Sequence, residues 1–143
     1  MGRVRWHLAR LGRRMLACVA PALLALALTG APAEAQNARQ IIFHNDCPRP
    51  VRILIHHADG YRNWHPHAWW NFAPNERSYL LWDGRRLTQL DDHDLYFYAE
   101  ATDGSRQVWD GNDTRVEWRG AQYNLRRART GIDGGDLVVR LTC

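Results

Sequence analysis

The sequence predicts an all-β fold, a single antiparallel β-sandwich of about eight short strands. Short apolar runs rich in β-branched and aromatic residues recur at roughly 8–15-residue intervals, which is typical of strands. Gly, Pro, Asn and Asp residues stand between these runs, as expected for turns. Beyond residue 35, no stretch keeps the apolar 3.6-residue period of a helix for long. Residues 36–143 are therefore expected to form one β domain.

Eight segments carry the strand pattern, and turn-forming residues end most of them. The predicted strands are residues 41–43, 51–56, 64–72, 79–82, 95–99, 108–109, 115–118 and 137–141. Asp-Gly pairs at 59–60, 83–84, 103–104 and 110–111 are the clearest turn signals between them. Residues 122–129 are expected to form at most one turn of helix, and residues 36–39 a disordered polar lead-in.

The first 35 residues have the three parts of a secretory signal peptide. Arginines at positions 3, 5, 10, 13 and 14 form a basic start, an apolar run covers residues 16–28, and Ala33-Glu34-Ala35 matches the small-x-small cleavage pattern. The run is shorter than the roughly 20 apolar residues that a transmembrane helix needs. The sequence thus predicts cleavage of residues 1–35, export to the periplasm or beyond, and no stable membrane span afterwards.

Much of the basic character of the chain belongs to this leader. The whole sequence has 19 arginines, no lysine and 15 acidic residues. Removing residues 1–35 takes away five of the arginines and Glu34, which leaves 14 residues of each sign. A near-neutral domain does not favour a nucleic-acid partner. The local cluster of Arg126, Arg127 and Arg129 is interpreted as a solvated face.

Cysteine usage fits an exported domain. Cys18 lies in the leader, so Cys47 and Cys143 remain as an even pair, and the sequence predicts a disulfide between them. The bond would require the first and last strands to pair or to lie close together. Two free thiols, or an intermolecular bond through Cys143, are the alternatives.

Six tryptophans follow the leader, and the segment around residues 64–70 holds three of them. Trp64, Trp69 and Trp70 are candidates for an aromatic ligand-binding surface. The alternative is that these large side chains fill the core of a small domain. Because successive strand residues point to opposite faces, we expect Trp69 and Trp70 to separate, one into the core and one toward a ligand.

Histidines suggest a metal site as a second possibility. His65 and His67 are two residues apart, so an extended backbone would place both imidazoles on one face. His93 is taken as the third ligand, with His56 and His57 as alternatives. Imidazole suits Zn²⁺ and Cu²⁺. The alternative is that these are surface histidines near turns.

No catalytic signature is evident after residue 35. Ser78 and Ser105 lack a nucleophile-elbow context. The acidic runs 91–94 and 110–113 lack the ligand spacing of a calcium loop and are explained by Asx turns. The sequence therefore predicts no enzyme and no cofactor. A hydrolase that uses carboxylates such as Glu100 and Asp110 is a remote alternative.

The order of several motifs resembles a bacterial family of small exported proteins, the domain of unknown function numbered ten thirty-six. The matching pieces are Phe43-His44-Asn45-Asp46-Cys47, Ala68-Trp69-Trp70, Pro74-Asn75-Glu76, Leu95-Tyr96-Phe97-Tyr98-Ala99-Glu100 and Val108-Trp109-Asp110-Gly111. The chain departs from the family pattern in the placement of its cysteines and in Ala68, which stands where the family has glycine. Residues 43–51 also resemble the opening of thaumatin-like proteins, which are disulfide-rich β-sandwiches. Both resemblances imply a small β domain, the first an exported one, and neither implies a mechanism.

These observations together predict a non-catalytic binding or envelope-accessory protein that recognises an unknown envelope or extracellular ligand. The principal alternative is a periplasmic Zn²⁺- or Cu²⁺-binding protein that uses the His-x-His pair.

Overall fold

β-Strands make up all the regular secondary structure in the part of the chain that the computed structural model describes, residues 37–60 and 63–143. The all-β prediction is therefore confirmed for these residues, while the leader predicted over residues 1–35 lies outside them. The strands are β1 (Ala38–Asn45), β2 (Val51–Gly60), β3 (Asn63–Phe72), β4 (Arg77–Tyr79), β5 (Leu81–Trp82), β6 (Arg85–Arg86), β7 (Thr88–Leu90), β8 (Tyr96–Ala101), β9 (Val108–Trp109), β10 (Thr114–Trp118), β11 (Ala121–Arg127), β12 (Thr130–Asp133) and β13 (Asp136–Leu141). The same residues include no helix long and apolar enough to cross a membrane.

The strands form two larger sheets and one hairpin. The first sheet has the order β12-β13-β1-β4, with β7 paired to the beginning of β1. The second has the order β10-β11-β8-β2-β3, with β9 paired to β8, and β5 and β6 form the hairpin. Pairing is antiparallel except between β1 and β13, which run parallel from Ile41↔Leu137 to Asn45↔Leu141. The first and last strands therefore pair, as predicted.

Both larger sheets contribute to the main core. Alternation along β2 sends Ile53 and Ile55 to the same side, where they join Phe43 of β1, Phe97 of β8 and Val139 of β13. All five side chains are buried. Burial of such residues supplies most of the free energy that stabilises a domain of this size.

The opposite face of the second sheet curls around a smaller core. Leu54, which lies between Ile53 and Ile55, packs with Ala68, Val116 and Leu125. These residues come from β2, β3, β10 and β11. The two edge strands of the sheet, β3 and β10, approach each other as a result. The sheet is thus apolar on both faces, which explains why β2 reads as a near-continuous apolar run.

The predicted disulfide joins Cys47 to Cys143, with the two Cα atoms 5.3 Å apart. Cys47 is fully buried, and the Asp46 amide donates a hydrogen bond to the Leu141 carbonyl beside it. The bond therefore ties the loop after β1 to the end of β13, next to the parallel strand pair.

Two local predictions were wrong, and two polar strands were not predicted at all. Residues 121–127 form a full strand, β11, because Leu125 packs into the smaller core while its neighbours face outward. β1 begins at Ala38 rather than at residue 41, since it gains backbone partners from β7. Polar strands such as β7 and β12 lack an apolar run and gave no sequence signal.

Candidate functional site

Three histidines line a cleft of about 560 Å³ between the β2–β3 strand pair and the β5–β6 hairpin. They are His57, His65 and His67, and we call them the histidine cluster. Asp59 and Trp82 also line this cleft. The cleft thus brings imidazole and carboxylate groups together on one wall of the described structure.

Strand pairing builds the histidine cluster. His57 on β2 is the register partner of His65 on β3, so their side chains stand side by side on one face. His67 lies two residues further along β3 and returns to the same face. The ring centres are 6.0 Å apart for His57 and His65, 5.3 Å for His57 and His67, and 5.9 Å for His65 and His67.

His57 is the most enclosed member, with only 1 % of its surface exposed. Its Nδ1 lies 2.7 Å from the Thr88 carbonyl oxygen, so Nδ1 carries the proton and donates to it. Nε2 is then the unprotonated nitrogen in the neutral ring. It is buried and has no hydrogen-bond partner among the described residues. Burial, reinforced by His67 and His65 and only partly offset by Thr88 and Asp59, lowers the pKa of His57 to about 4.

His67 is also held neutral. Burial, followed by the proximity of His65, lowers its pKa from the ordinary value, against opposing effects of Asp59 and Asp83. Its Nδ1 is buried and lacks a hydrogen-bond partner within the described ranges. A buried polar atom without a partner is costly and unusual in a native protein. The histidine cluster contains two of them.

Acidic and aromatic groups complete the cleft. Asp59 Oδ1 lies 3.4 Å from His65 Nε2. The Trp82 ring lies 4.6 Å from the ring of His67, and its own neighbours are Trp70 and Trp118 at 6.4 and 6.0 Å. Trp82 therefore forms an aromatic wall against which His67 packs.

The predicted third ligand, His93, does not line this cleft. Its ring lies 5.7 Å from Trp64, and its Nδ1 lies 2.7 Å from Asp92 Oδ1. His56 is adjacent to His57 but faces the other side of β2, where its ring lies 5.0 Å from Trp64. Of the three candidates considered from sequence, His57 is the one that joins His65 and His67.

As the side chains stand, no three His, Cys, Asp or Glu residues in residues 37–60 and 63–143 form a group that could hold a metal ion. The histidine cluster is therefore a set of neighbouring rings and not a set of nitrogens already directed at one point.

The candidate tryptophans are half-buried and each packs against other aromatic rings. Trp64 packs against His56 and lies 5.9 Å from the ring of Tyr96. Trp69 makes edge-to-face contacts with Tyr123 and Tyr98, at 5.4 and 6.0 Å.

Trp70 packs against the main core, whereas Trp69 packs against the smaller one. The Nε1–H of Trp70 donates a 2.9 Å hydrogen bond to the Leu81 carbonyl. The two rings thus separate, but neither is fully buried. Trp64 contacts Tyr96, which packs against the same smaller core as Trp69, so Trp70 is the one that lies on the other face.

Two carboxylates were considered for hydrolysis, and one of them has structural partners. Glu100 forms an ion pair with Arg52 and accepts a 2.8 Å hydrogen bond from the Tyr98 hydroxyl. Asp110 is exposed and lies in the turn after β9.

Sequence reasoning missed Asp59 and Trp82 as members of the cleft. The sequence indicates a turn at Asp59 and a strand at Trp82, and neither pattern points to a ligand site. The only sequence signal for Asp59 was its two-residue spacing from His57, which places both on one face of β2. No local pattern could have revealed Trp82, because it is brought in by the β5–β6 hairpin.

Comparison of the chain with protein-family models, with curated protein sequences and with solved structures gives no match. The family resemblance inferred from sequence motifs therefore stays a prediction.

Proposed function

We propose that this protein is a non-catalytic metal-binding protein that holds Zn²⁺ or Cu²⁺ in its cleft, with His57, His65 and His67 as ligands. The observation that carries the proposal is the close grouping of three imidazoles, two of which have buried nitrogens without a hydrogen-bond partner among the described residues.

The spacing of the rings supports this assignment. Two imidazoles that share a tetrahedral zinc ion at a Zn–N distance of about 2.1 Å have ring centres about 5 Å apart. The three separations in the histidine cluster run from 5.3 to 6.0 Å. Binding would therefore require the rings to turn and to approach by less than about 1 Å, with no change in strand pairing.

The chemistry of His57 supports it as well. Ligating histidines usually donate their second ring N–H to a carbonyl or carboxylate, which fixes the ring and frees the other nitrogen for the metal. The hydrogen bond from His57 to Thr88 has this form. The lowered pKa values of His57 and His67 keep both rings in the neutral state that binds metal.

Asp59 is the proposed fourth ligand, because its carboxylate already lies beside His65. Four protein ligands would close the tetrahedral shell and leave no position open for substrate. This closure is the reason for proposing a binding role rather than a catalytic one.

Isothermal titration of chelator-treated protein with Zn²⁺ and Cu²⁺ tests the proposal. We expect one site per chain with a Kd below about 10 μM. The double variant His65→Ala, His67→Ala should lose that site. His93→Ala is the matched control and should bind as the wild type does. Binding weaker than this limit, or unchanged in the double variant, would exclude the site.

We also infer that the chain is exported and that its two larger sheets form a sandwich. The disulfide between Cys47 and Cys143 supports an oxidising compartment. A main core built from both sheets supports the sandwich. Amino-terminal sequencing of the protein expressed with its leader in a bacterial host tests export. The expected first residue is Gln36, and an intact leader on all of the protein would contradict it.

A further inference from the structure

A second pocket, of about 150 Å³, lies where the ends of β11 and β13 meet. Four arginines line it, and we call it the arginine pocket: Arg126, Arg127, Arg129 and Arg140. Three of them belong to the cluster that the sequence suggested was a solvated face. The fold adds Arg140 from β13, which the sequence does not place near the others.

Two of these arginines already have carboxylate partners. Arg140 Nη1 lies 3.0 Å from Asp46 Oδ2, and Arg127 Nη2 lies 2.9 Å from Asp94 Oδ2. Their charges are therefore largely balanced within the fold.

Arg126 and Arg129 have no carboxylate partner within residues 37–60 and 63–143. The guanidinium carbon of Arg126 lies 6.0 Å from the centre of the Phe97 ring. Asp113 lies beside the cluster, because its Oδ2 accepts a 2.7 Å hydrogen bond from the Arg127 amide. The residues that line the arginine pocket include four guanidinium groups and no carboxylate, and such a lining favours an anion.

The floor of the pocket is apolar. Phe97, Trp109 and Leu141 line it and are each at least 94 % buried. A low-dielectric floor weakens screening by water, so each guanidinium attracts an anion more strongly here than on an open surface.

The walls are fixed by backbone packing. A Cβ atom added at Gly111 would lie only 2.7 Å from the Cβ of Arg126, which shows how closely the two segments approach. The Ala128 amide donates a 2.8 Å hydrogen bond to the Leu95 carbonyl. Packing thus fixes the backbone from which the Arg126 and Arg129 side chains extend, and both residues are exposed.

We propose that the arginine pocket binds a phosphate group, held by Arg126 and Arg129. Guanidinium groups recognise phosphate through paired, charge-assisted hydrogen bonds. The small volume excludes most drug-sized ligands, whose pockets start near 300 Å³. The bound group is therefore inorganic phosphate or the exposed phosphomonoester of a larger molecule such as a lipid headgroup. This site is separate from the histidine cluster and does not depend on it.

Two binding assays on the chelator-treated protein distinguish these sources. The first is titration with inorganic phosphate at low ionic strength, for which we expect a Kd below about 1 mM. The second is cosedimentation with vesicles that contain phosphatidic acid, against vesicles of phosphatidylcholine alone. If the protein binds inorganic phosphate but not the vesicles, the ligand is free phosphate. If it binds the phosphatidic acid vesicles, the ligand is the lipid headgroup.

The double variant Arg126→Gln, Arg129→Gln should weaken whichever binding is seen by at least about tenfold. The control is the double variant Arg115→Gln, Arg119→Gln, which removes the same charge from β10 and the adjoining turn, away from the pocket. Its binding affinity should differ from that of the wild type by less than about twofold. Equal weakening in both variants, or no binding in either assay, would overturn the proposal. Unfolding midpoints of both variants show whether each is folded.

Discussion

At the scale of single residues, surroundings decide what the histidines of this chain can do. His57 and His56 are adjacent, yet they face opposite sides of β2 and belong to different sites. Burial and two neighbouring imidazoles hold His57 neutral, while its hydrogen bond to Thr88 fixes the ring. The sequence shows which histidines are present, but the state of each ring follows from packing.

The pKa of His57 predicts a loss of stability in mild acid. Because it is about 4 in the folded protein and 6.5 ordinarily, the unfolded chain binds more protons between these values. This contribution is fully present above pH 6.5 and is lost as the pH falls toward 4. The lost stability should reach about 3 kcal/mol. Urea unfolding of metal-free protein at pH 7.5 and 4.5 measures it.

His57→Leu is the comparison for that experiment, since it cannot titrate. Its stability should fall less between the two pH values than that of the wild type. An equal fall in both proteins would show that other groups, such as carboxylates, cause the acid sensitivity.

Asn45 is a second residue whose role depends on burial. It is fully buried, and its side-chain amide donates 2.9 Å hydrogen bonds to the carbonyls of Arg49 and Ala73. Its Oδ1 accepts a 3.1 Å bond from the Cys47 amide. Asn45→Ala should therefore cost about 2–4 kcal/mol of unfolding free energy. Asn112→Ala, at an exposed site, should change the unfolding free energy by no more than about 0.5 kcal/mol. Equal losses of stability in the two variants would contradict the role of Asn45.

At the scale of elements, most strands with apolar runs could be predicted from sequence, and their partners could not. The run in residues 95–99 marks β8 correctly to within two residues. β11 was missed because Leu125 is its one fully buried residue, so no clear alternation appears. The histidine cluster was missed in part because register sets it. His65 and His67 could be paired from spacing, but His57 joins them only through strand pairing.

Close packing between elements predicts a contrast between two glycines. A Cβ at Gly111 would meet backbone and side-chain atoms of Arg126 at 3.0 and 2.7 Å, whereas a Cβ at Gly131 would meet no atom of the described residues within 4 Å. Gly111→Ala should therefore destabilise the fold by about 1–3 kcal/mol. Gly131→Ala should lie within about 0.5 kcal/mol of the wild type. Urea midpoints measure both, and equal values would contradict the close approach.

At the scale of the whole molecule, the disulfide and the parallel strand pair act together. β1 and β13 are first and last along the described chain, and the bond between Cys47 and Cys143 closes a loop with a sequence separation of 96 residues. Closing a loop of this length restricts the conformations of the unfolded chain and so stabilises the folded state. The cysteine pattern predicted this bond, whereas the parallel direction of the strand pair had no sequence signal.

Removal of the disulfide should lower the unfolding free energy by about 4 kcal/mol. The double variant Cys47→Ala, Cys143→Ala tests this by urea unfolding. Wild-type protein reduced with dithiothreitol should match the variant. A variant within about 1 kcal/mol of the oxidised wild type would show that the strand pair alone holds the chain ends.

The central claim is that the histidine cluster binds a metal ion. A crystal structure of zinc-loaded protein, with anomalous data collected at the zinc edge, tests it most directly. The proposal predicts one strong peak in the cleft, about 2.1 Å from a ring nitrogen of each of His57, His65 and His67. An empty cleft, or a zinc ion held by other residues, would contradict it.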